Sequence, residues 1–309
     1  ISGQMAKKSG LPAYTKVFGE GLVQLGEKHE NLAVITAAMP GGTGTGMFAD
    51  AYPDRFFDVG IAEGHAVTFA AGLAVEGIKP VVAIYSTFLQ RGYDSIIHDV
   101  ALQNLPVVFA MDRGGLVGND GPTHMGLYDI AYLLAVPEMI VTAPKDGEEM
   151  LALLRLGVEQ DEGRLLGVVL RRGDGVAILA VGTMVGPALE AARKLEADGF
   201  DATVVNCRFL KPYDEEVLAW VAENHDAIVT VEEGTVVNGF GAMIAREIAP
   251  LRREGHEVQL DIMGVPDRFI DHASRGEQLE EVGLTPAGIA ERTRALAEFA
   301  HIAPVPETA

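Results

Sequence analysis

Cysteine is all but missing: Cys207 is the only one in 309 residues. No internal disulfide can form, and a reducing compartment, the cytoplasm, is the simple inference. Cys207 closes the apolar run Ala202-Thr203-Val204-Val205-Asn206-Cys207, which reads as a buried strand and gives the thiol a packing role ahead of a nucleophilic one. Positive charge is scarce as well, with 24 Lys and Arg against 44 Asp and Glu and a formal charge of −20. Such a surface repels nucleic acid and anionic membrane, and its simplest use is solubility. No apolar run approaches the roughly 20 residues that span a bilayer, so no membrane partner is expected. The opening Ile1-Ser2-Gly3-Gln4-Met5-Ala6-Lys7-Lys8 has no signal-peptide core. It begins with Ile and not Met, and so reads as an internal piece of something longer. Repeats and low-complexity tracts are absent too.

What is present is an ordinary globular mixture, 48% hydrophobic and 22% charged, in a chain longer than one compact core usually holds. Short β-branched runs at 32–38, 80–85, 106–111, 139–143, 176–182, 202–207, 227–232 and 258–263 alternate with helix-length stretches. Continuous apolar runs of this length suit parallel strands buried on both faces. Asp146 with Glu149 three residues on makes a capping-box-like helix start. Thr285 before Pro286 gives an N-cap and a first-turn proline, with Ile289 and Leu296 following on one face. The fold expected is α/β: two doubly wound, mostly parallel-sheet domains in series. The polar, glycine-rich brackets Asp161-Glu162-Gly163-Arg164 and Arg171-Arg172-Gly173-Asp174-Gly175 place the break near 161–175, with domains at 1–165 and 166–309.

Three segments put polar groups after the ends of expected strands, where open α/β sheets build their sites. In Asp58-Val59-Gly60-Ile61-Ala62-Glu63-Gly64, a carboxylate stands where a strand-like piece turns into a helix whose Ala66, Ala70 and Ala74 repeat at helical spacing. Taken alone, Glu63 reads as a first-turn charge facing the helix dipole. In Tyr85-Ser86-Thr87-Phe88-Leu89-Gln90-Arg91, Phe88 and Arg91 lie three apart and share a helix face. An aromatic beside a guanidinium can stack on a planar ring and bind an anion, though a core aromatic with a solvated arginine is the plainer reading. The third segment, residues 112–126, is a glycine-rich loop carrying Arg113, Asp120 and His124. Arg113 suits a phosphate, and His124 suits proton transfer near neutral pH.

Two other segments are set aside. Gly173-Asp174-Gly175, with Asn206 some thirty residues on, imitates a magnesium–diphosphate motif, but its turn precedes a strand where such a motif follows one. We read it as a linker turn. Met39-Pro40-Gly41-Gly42-Thr43-Gly44-Thr45-Gly46 lacks the Lys-Ser/Thr ending of a Walker loop, and is expected to be a mobile loop at the rim of the site.

Taken in order, the three segments resemble the 1-deoxy-D-xylulose-5-phosphate synthase family, residues 58–74 its glutamate motif, 85–94 its aromatic–arginine helix and 112–126 its Asp-Arg…Asp-Gly-Pro-Thr-His loop. In the second half, residues 206–212, 231–241 and 262–267 resemble the same family, and the likeness runs from about Ala13 to Leu296. The resemblance implies a transketolase-like fold and a thiamine-diphosphate-dependent transferase. Such an enzyme decarboxylates pyruvate and joins the two-carbon fragment to glyceraldehyde 3-phosphate, for isoprenoid, thiamine and pyridoxal biosynthesis. The family bonds a carboxylic acid to the 1′ nitrogen of the aminopyrimidine, which favours the imino tautomer that takes the thiazolium proton. Glu63 matches that acid. By the same resemblance Phe88 stacks on the aminopyrimidine and Ile61 helps bend the cofactor. Arg113, Tyr85 and Arg91 border the substrate, and His124 and Asp120 hold and protonate the intermediate.

The departures from the family are informative. Gly64 replaces the usual glutamine. The Arg-Tyr-Pro-Arg-Gly strand between the domains, source of a second phosphate arginine, has no counterpart, and Arg171 and Arg172 are poor substitutes because they sit in the linker. The N-terminal domain that holds Mg2+ and the diphosphate is missing, so no metal ligand is expected here and the chain alone should be inactive, its working form being a homodimer completed by that domain. The β subunit of a 2-oxo-acid dehydrogenase decarboxylase, and a non-catalytic transketolase-like assembly module, are the alternatives.

Overall fold

The run Leu32-Ala33-Val34-Ile35-Thr36 is buried along its whole length, and the reason is visible in where alternate residues go. In the computed structural model, which describes residues 12–159, 168–251 and 258–302, Val34, Val81 and Ala83 face one side of a sheet, against Phe18, Leu22 and Leu154 of two helices. Ile35, Val82 and Ile84 face the other, against Ala66, Ala70 and Ile96. This first sheet is fully parallel, in the order β2 (Phe56–Asp58), β1 (Leu32–Thr36), β3 (Lys79–Tyr85), β4 (Val108–Asp112).

The second sheet repeats the plan. It runs β11 (Gln259–Val265), β10 (Ala227–Thr235), β7 (Val176–Ala180), β8 (Ala202–Asn206), β6 (Val168–Arg171), all parallel except β6, which lies antiparallel on β8. Ile178, Ala180, Val204 and Val229 pack under the helices Val185–Ala197 and Pro286–Phe299. Ala177, Leu179 and Val205 face the opposite cluster, with Leu218 and Phe240. Helices on both faces of two mostly parallel sheets make the expected doubly wound architecture.

Between the sheets, β5 (Val141–Thr142) pairs antiparallel with β9 (Phe209–Lys211), so the two halves share a small ribbon. Glu149 of the first half, itself buried, accepts from Asn206 Nδ2 at 2.9 Å and lies 3.0 Å from Arg208 Nε of the second. Lys211 Nζ donates to the carbonyl of Leu134 at 3.1 Å.

Each of the eight expected strands is found, with shifted ends. Residues 32–38 stop pairing at Thr36 because Asp58 Oδ1 takes the Ala38 N–H at 2.7 Å, and Ala38 itself has φ +59°. The strand at 106–111 starts at Val108, since Pro106 has no N–H to give. Three strands, β2, β6 and β9, were not expected. The boundary between 165 and 166, and the bracket at 161–164, lie outside the described residues. The second bracket needs correction: Arg171 is not in a linker but ends β6, where it pairs with Asp201 at 2.7 Å and Glu196 at 3.1 Å. Gly173 turns the chain into β7, its N–H on Thr203 Oγ1 at 2.9 Å. Residues 39–46 also depart from the mobile loop expected. They hold the helical turn Pro40–Thr43, with Thr43 and Thr45 buried. Asp146 accepts from Glu149 N at 2.9 Å, but Glu149 reaches back to Lys145 N and not to Asp146, so the capping box is displaced by one residue. Thr285 caps Pro286–Phe299 as expected.

Candidate active site

β2, β3 and β4 belong to one parallel sheet, with β1 between β2 and β3, and the three polar segments leave from the carboxyl ends of β2, β3 and β4. Glu63 is the first residue of the helix Glu63–Val75, only 4% exposed, because Ala66, Val67 and Ala70 seat that helix on the sheet and carry its first turn down with them. Tyr85 is the last residue of β3, and the short helix Ser86–Leu89 follows at once. Arg113 follows β4 with φ +60°, a conformation that costs a non-glycine residue roughly 1–2 kcal/mol. Asp112 Oδ1 accepts the Arg113 N–H at 2.8 Å, and burial pushes the Asp112 carboxyl above the usual range against that bond and the Arg113 charge.

The side chains form one connected row. Arg91 Nη1 donates to Glu63 Oε1 at 2.7 Å, and its guanidinium carbon lies 5.3 Å from the Phe88 ring centroid. Phe88 stacks on Tyr85 at 5.8 Å and 11°, and His124 meets its edge at 5.3 Å and 73°. Arg113 lies 4.8 Å over the Tyr85 ring and reaches Asp120 Oδ2 at 3.1 Å. Thr123 Oγ1 and His124 Nδ1 share a hydrogen at 2.9 Å. Glu63, Arg91, Phe88, Tyr85, Arg113, Asp120 and His124 are therefore brought together. Ile61 is not in the row: it stands 81% exposed, two residues before Glu63. The rim loop does touch the row, since a Cβ on Gly42 would fall 2.1 Å from the Tyr85 hydroxyl.

Sequence reasoning passed over several residues. Asp129 is buried and accepts from Ser86 Oγ at 2.7 Å, and burial raises its carboxyl well above the usual range. A cavity of about 550 Å³ under the glycine-rich loop is lined by Asp112, Arg113 and Asp129 from one half and by Thr183, Glu233 and Arg275 from the other. A carboxylate just past the loop was the one available signal for Asp129; Glu233 and Arg275 gave none, being distant in sequence. Among the described residues no group of three or more His, Cys, Asp or Glu is placed to hold a metal ion.

Two parallel sheets in series, with the polar row at the strand ends of the first, define a transketolase-type chain. The family model "Transketolase, pyrimidine binding domain" matches residues 11–175 and "Transketolase, C-terminal domain" matches 166–289, and the chain belongs to this transketolase family. Among proteins of known name it is 47% identical over 93% of its length to 1-deoxy-D-xylulose-5-phosphate synthase 1 of Geobacter sulfurreducens, covering 48% of that protein. It is 49% identical over 95% of its length to the synthase of Aquifex aeolicus, covering 50%. The chain thus spans about half the length of these relatives. Among solved structures, a split gene transketolase described as an inactive beta4 tetramer superimposes with a TM-score of 0.82 at 29% identity, over 94% of this chain and 99% of that one. A transketolase mutant of Pichia stipitis shares the fold at a TM-score of 0.77 and 19% identity, over 96% of this chain and 47% of that one.

Proposed function

We propose that this chain is the pyrimidine-side and C-terminal half of a 1-deoxy-D-xylulose-5-phosphate synthase, residues 1–165 carrying the cofactor ring and 166–309 the C-terminal domain. The observation that carries this reading is the buried Glu63 beside the ring of Phe88, with the flat guanidinium of Arg91 bonded to the one and lying over the other. The planar guanidinium already spans carboxylate and aromatic ring, and an aminopyrimidine, taking a proton at N1′ from the Glu63 carboxylic acid, is another planar group that suits both. The donor set therefore suits thiamine diphosphate, with Glu63 and Phe88 holding its pyrimidine and Ile61, exposed beside Glu63, left to meet it.

Bound there, the cofactor would supply a thiazolium C–H acidic enough to be deprotonated and a ring able to take up the charge left when pyruvate loses carbon dioxide. The chain's own residues do the rest. Glu63, buried at the start of its helix, would hold a proton at the pyrimidine N1′. Arg113, Tyr85 and Arg91 border the substrates, with Arg113 offering its fork to the phosphate of glyceraldehyde 3-phosphate. His124 and Asp120 move protons at the hydroxyl that forms when the two-carbon unit is transferred. Mg2+ and the diphosphate are assigned in this reading to a further domain. We place the working enzyme in the cytoplasm as a homodimer that contains that domain.

The inactive tetramer of the split gene transketolase supports the view that this half does not turn over alone. Adding a diphosphate-binding half and supplying pyruvate with glyceraldehyde 3-phosphate is expected to yield 1-deoxy-D-xylulose 5-phosphate. Acyl transfer to a lipoyl domain in place of that product would overturn the proposal.

A further inference from the structure

The loop 112–126 carries Arg113, Asp120 and His124 and is held partly by itself and partly from the other domain. Its internal backbone bonds include the pair between Gly115 and Gly126, at 2.8 and 3.0 Å, and turn bonds from Gly121 N to Gly118 O at 3.0 Å and His124 N to Gly121 O at 3.1 Å. Arg113 pairs with Asp120 at 3.1 Å within the loop and Thr87 Oγ1 donates to the Thr123 carbonyl at 3.2 Å, while the stretch 116–118 is held from the second domain. Glu233 Oε1 accepts the Leu116 N–H at 3.0 Å, and Gln278 Oε1 accepts the Gly118 N–H at 2.9 Å. We propose that Glu233 and Gln278, braced by Arg275, are positioning residues that fix where Arg113 and Asp120 present themselves to the phosphorylated substrate, an inference that rests on the reading of this loop given above.

Both anchors are themselves immobilised. The Glu233 side chain is 8% exposed. Its Oε1 also accepts from Arg275 Nε at 3.0 Å, and its Oε2 accepts from Thr183 Oγ1 at 2.8 Å and from Arg275 Nη2. Gln278 is fully buried and donates to the Asp271 carbonyl at 3.0 Å. A buried carboxylate and a buried amide are costly unless their partners are complete. Here the partners are completed by amides of the other domain's loop. The fit is close: a Cβ at Gly115, with φ +87°, would fall 2.8 Å from Glu233 Cδ, and one at Gly118, with φ +64°, would fall 2.9 Å from Arg275 N. Leu116, the first anchor point, is 2% exposed in a cluster with Met125, Leu127, Val265 and Ile270. The grip therefore spans 115–118, two residues after Arg113 and two before Asp120. Misplacing a binding group by about 1 Å can cost about 100-fold in rate, so the grip acts on substrate through Arg113 and Asp120.

The test uses the complete enzyme, with the diphosphate-binding half present, and the variants Glu233→Gln, Gln278→Leu and Gly115→Ala, the last pushing the loop off its anchor from the other side. Amide exchange at Leu116 and Gly118 is expected to speed up by about tenfold or more. The KM for glyceraldehyde 3-phosphate is expected to rise by about ten- to 100-fold while that for pyruvate stays within about twofold. Unchanged exchange, or equal shifts in both KM values, would overturn the positioning role. Arg113→Ala separates the two layers. If it raises the phosphate KM while the anchor variants do not, only the positioning inference fails; if it too leaves that KM alone, the reading of the loop as the phosphate site fails.

Discussion

Arg113 is held in a strained backbone conformation, over an aromatic ring and against Asp120, which spends stability to aim a fork of donors. Replacing it should show in the substrate that carries a phosphate. Arg113→Ala is expected to raise the KM for glyceraldehyde 3-phosphate by about ten- to 100-fold, the worth of a charged hydrogen bond of about 1.5–3 kcal/mol. Arg113→Lys should recover only part, since an ammonium cannot make two parallel bonds. Steady-state kinetics with each substrate varied in turn decide it, and equal effects on pyruvate and aldehyde would count against the assignment. Cys207 gives the opposite prediction. Desolvation pushes its thiol up to about 12, so it stays protonated at physiological pH and is no nucleophile. Iodoacetamide at pH 8, followed by mass spectrometry, should label it orders of magnitude more slowly than a free thiol. Rapid labelling of the folded protein would refute its packing role. At this scale the sequence was legible wherever a motif was contiguous: Glu63, Phe88, Arg91 and Arg113 could be picked out in place. Glu233 and Gln278 could not, because they reach the loop across 117 and 160 residues of chain, and no periodicity records a contact of that kind.

Among the elements, β10 ends with a device that makes stability depend on pH. Glu232 is fully buried and accepts from Phe240 N at 3.0 Å and Gly241 N at 2.8 Å, capping the helix Phe240–Ile248. Burial pushes its carboxyl up to about 7, with Asp129 adding to the rise and the two backbone bonds opposing it. A carboxyl whose folded pKa is raised binds its proton more tightly in the native state. Its contribution is therefore complete below the unfolded value near 4.5 and is lost as pH rises through about 7. Glu232→Gln should flatten that fall, which amounts to at most about 3 kcal/mol. Urea unfolding at pH 5 and pH 8 measures it, and an equal slope in both proteins would be evidence against the shift. Strand positions were well marked in the sequence because parallel strands buried on both faces are mostly apolar, as in β1, β7 and β8, which are buried without a break. The three strands that escaped notice are short. β2 has three residues, β6 is an antiparallel edge beside a glycine turn, and β9 pairs across the domains, where local pattern carries no signal.

Over the whole molecule, the two halves are locked by a buried polar contact and not by apolar packing alone. Glu149 serves Asn206, Arg208 and the Lys145 N–H at once. Glu149→Ala would strand a largely buried guanidinium, and a loss of about 3–5 kcal/mol in urea unfolding is expected; a loss under about 1 kcal/mol would mean that the halves are held by other means. No described helix is long and apolar enough to cross a membrane. The chain covers about half the length of its synthase relatives, and the row from Glu63 to Asp120 lies at the strand ends of its first sheet. The central claim is that Glu63 activates the cofactor at its first step. Exchange of the thiazolium C2 proton for deuterium, followed by acid quench and NMR in the reconstituted enzyme, tests this before any substrate is bound. Glu63→Ala is expected to slow that exchange by about 10²- to 10⁴-fold with the cofactor still bound; exchange at the unaltered rate would contradict the account.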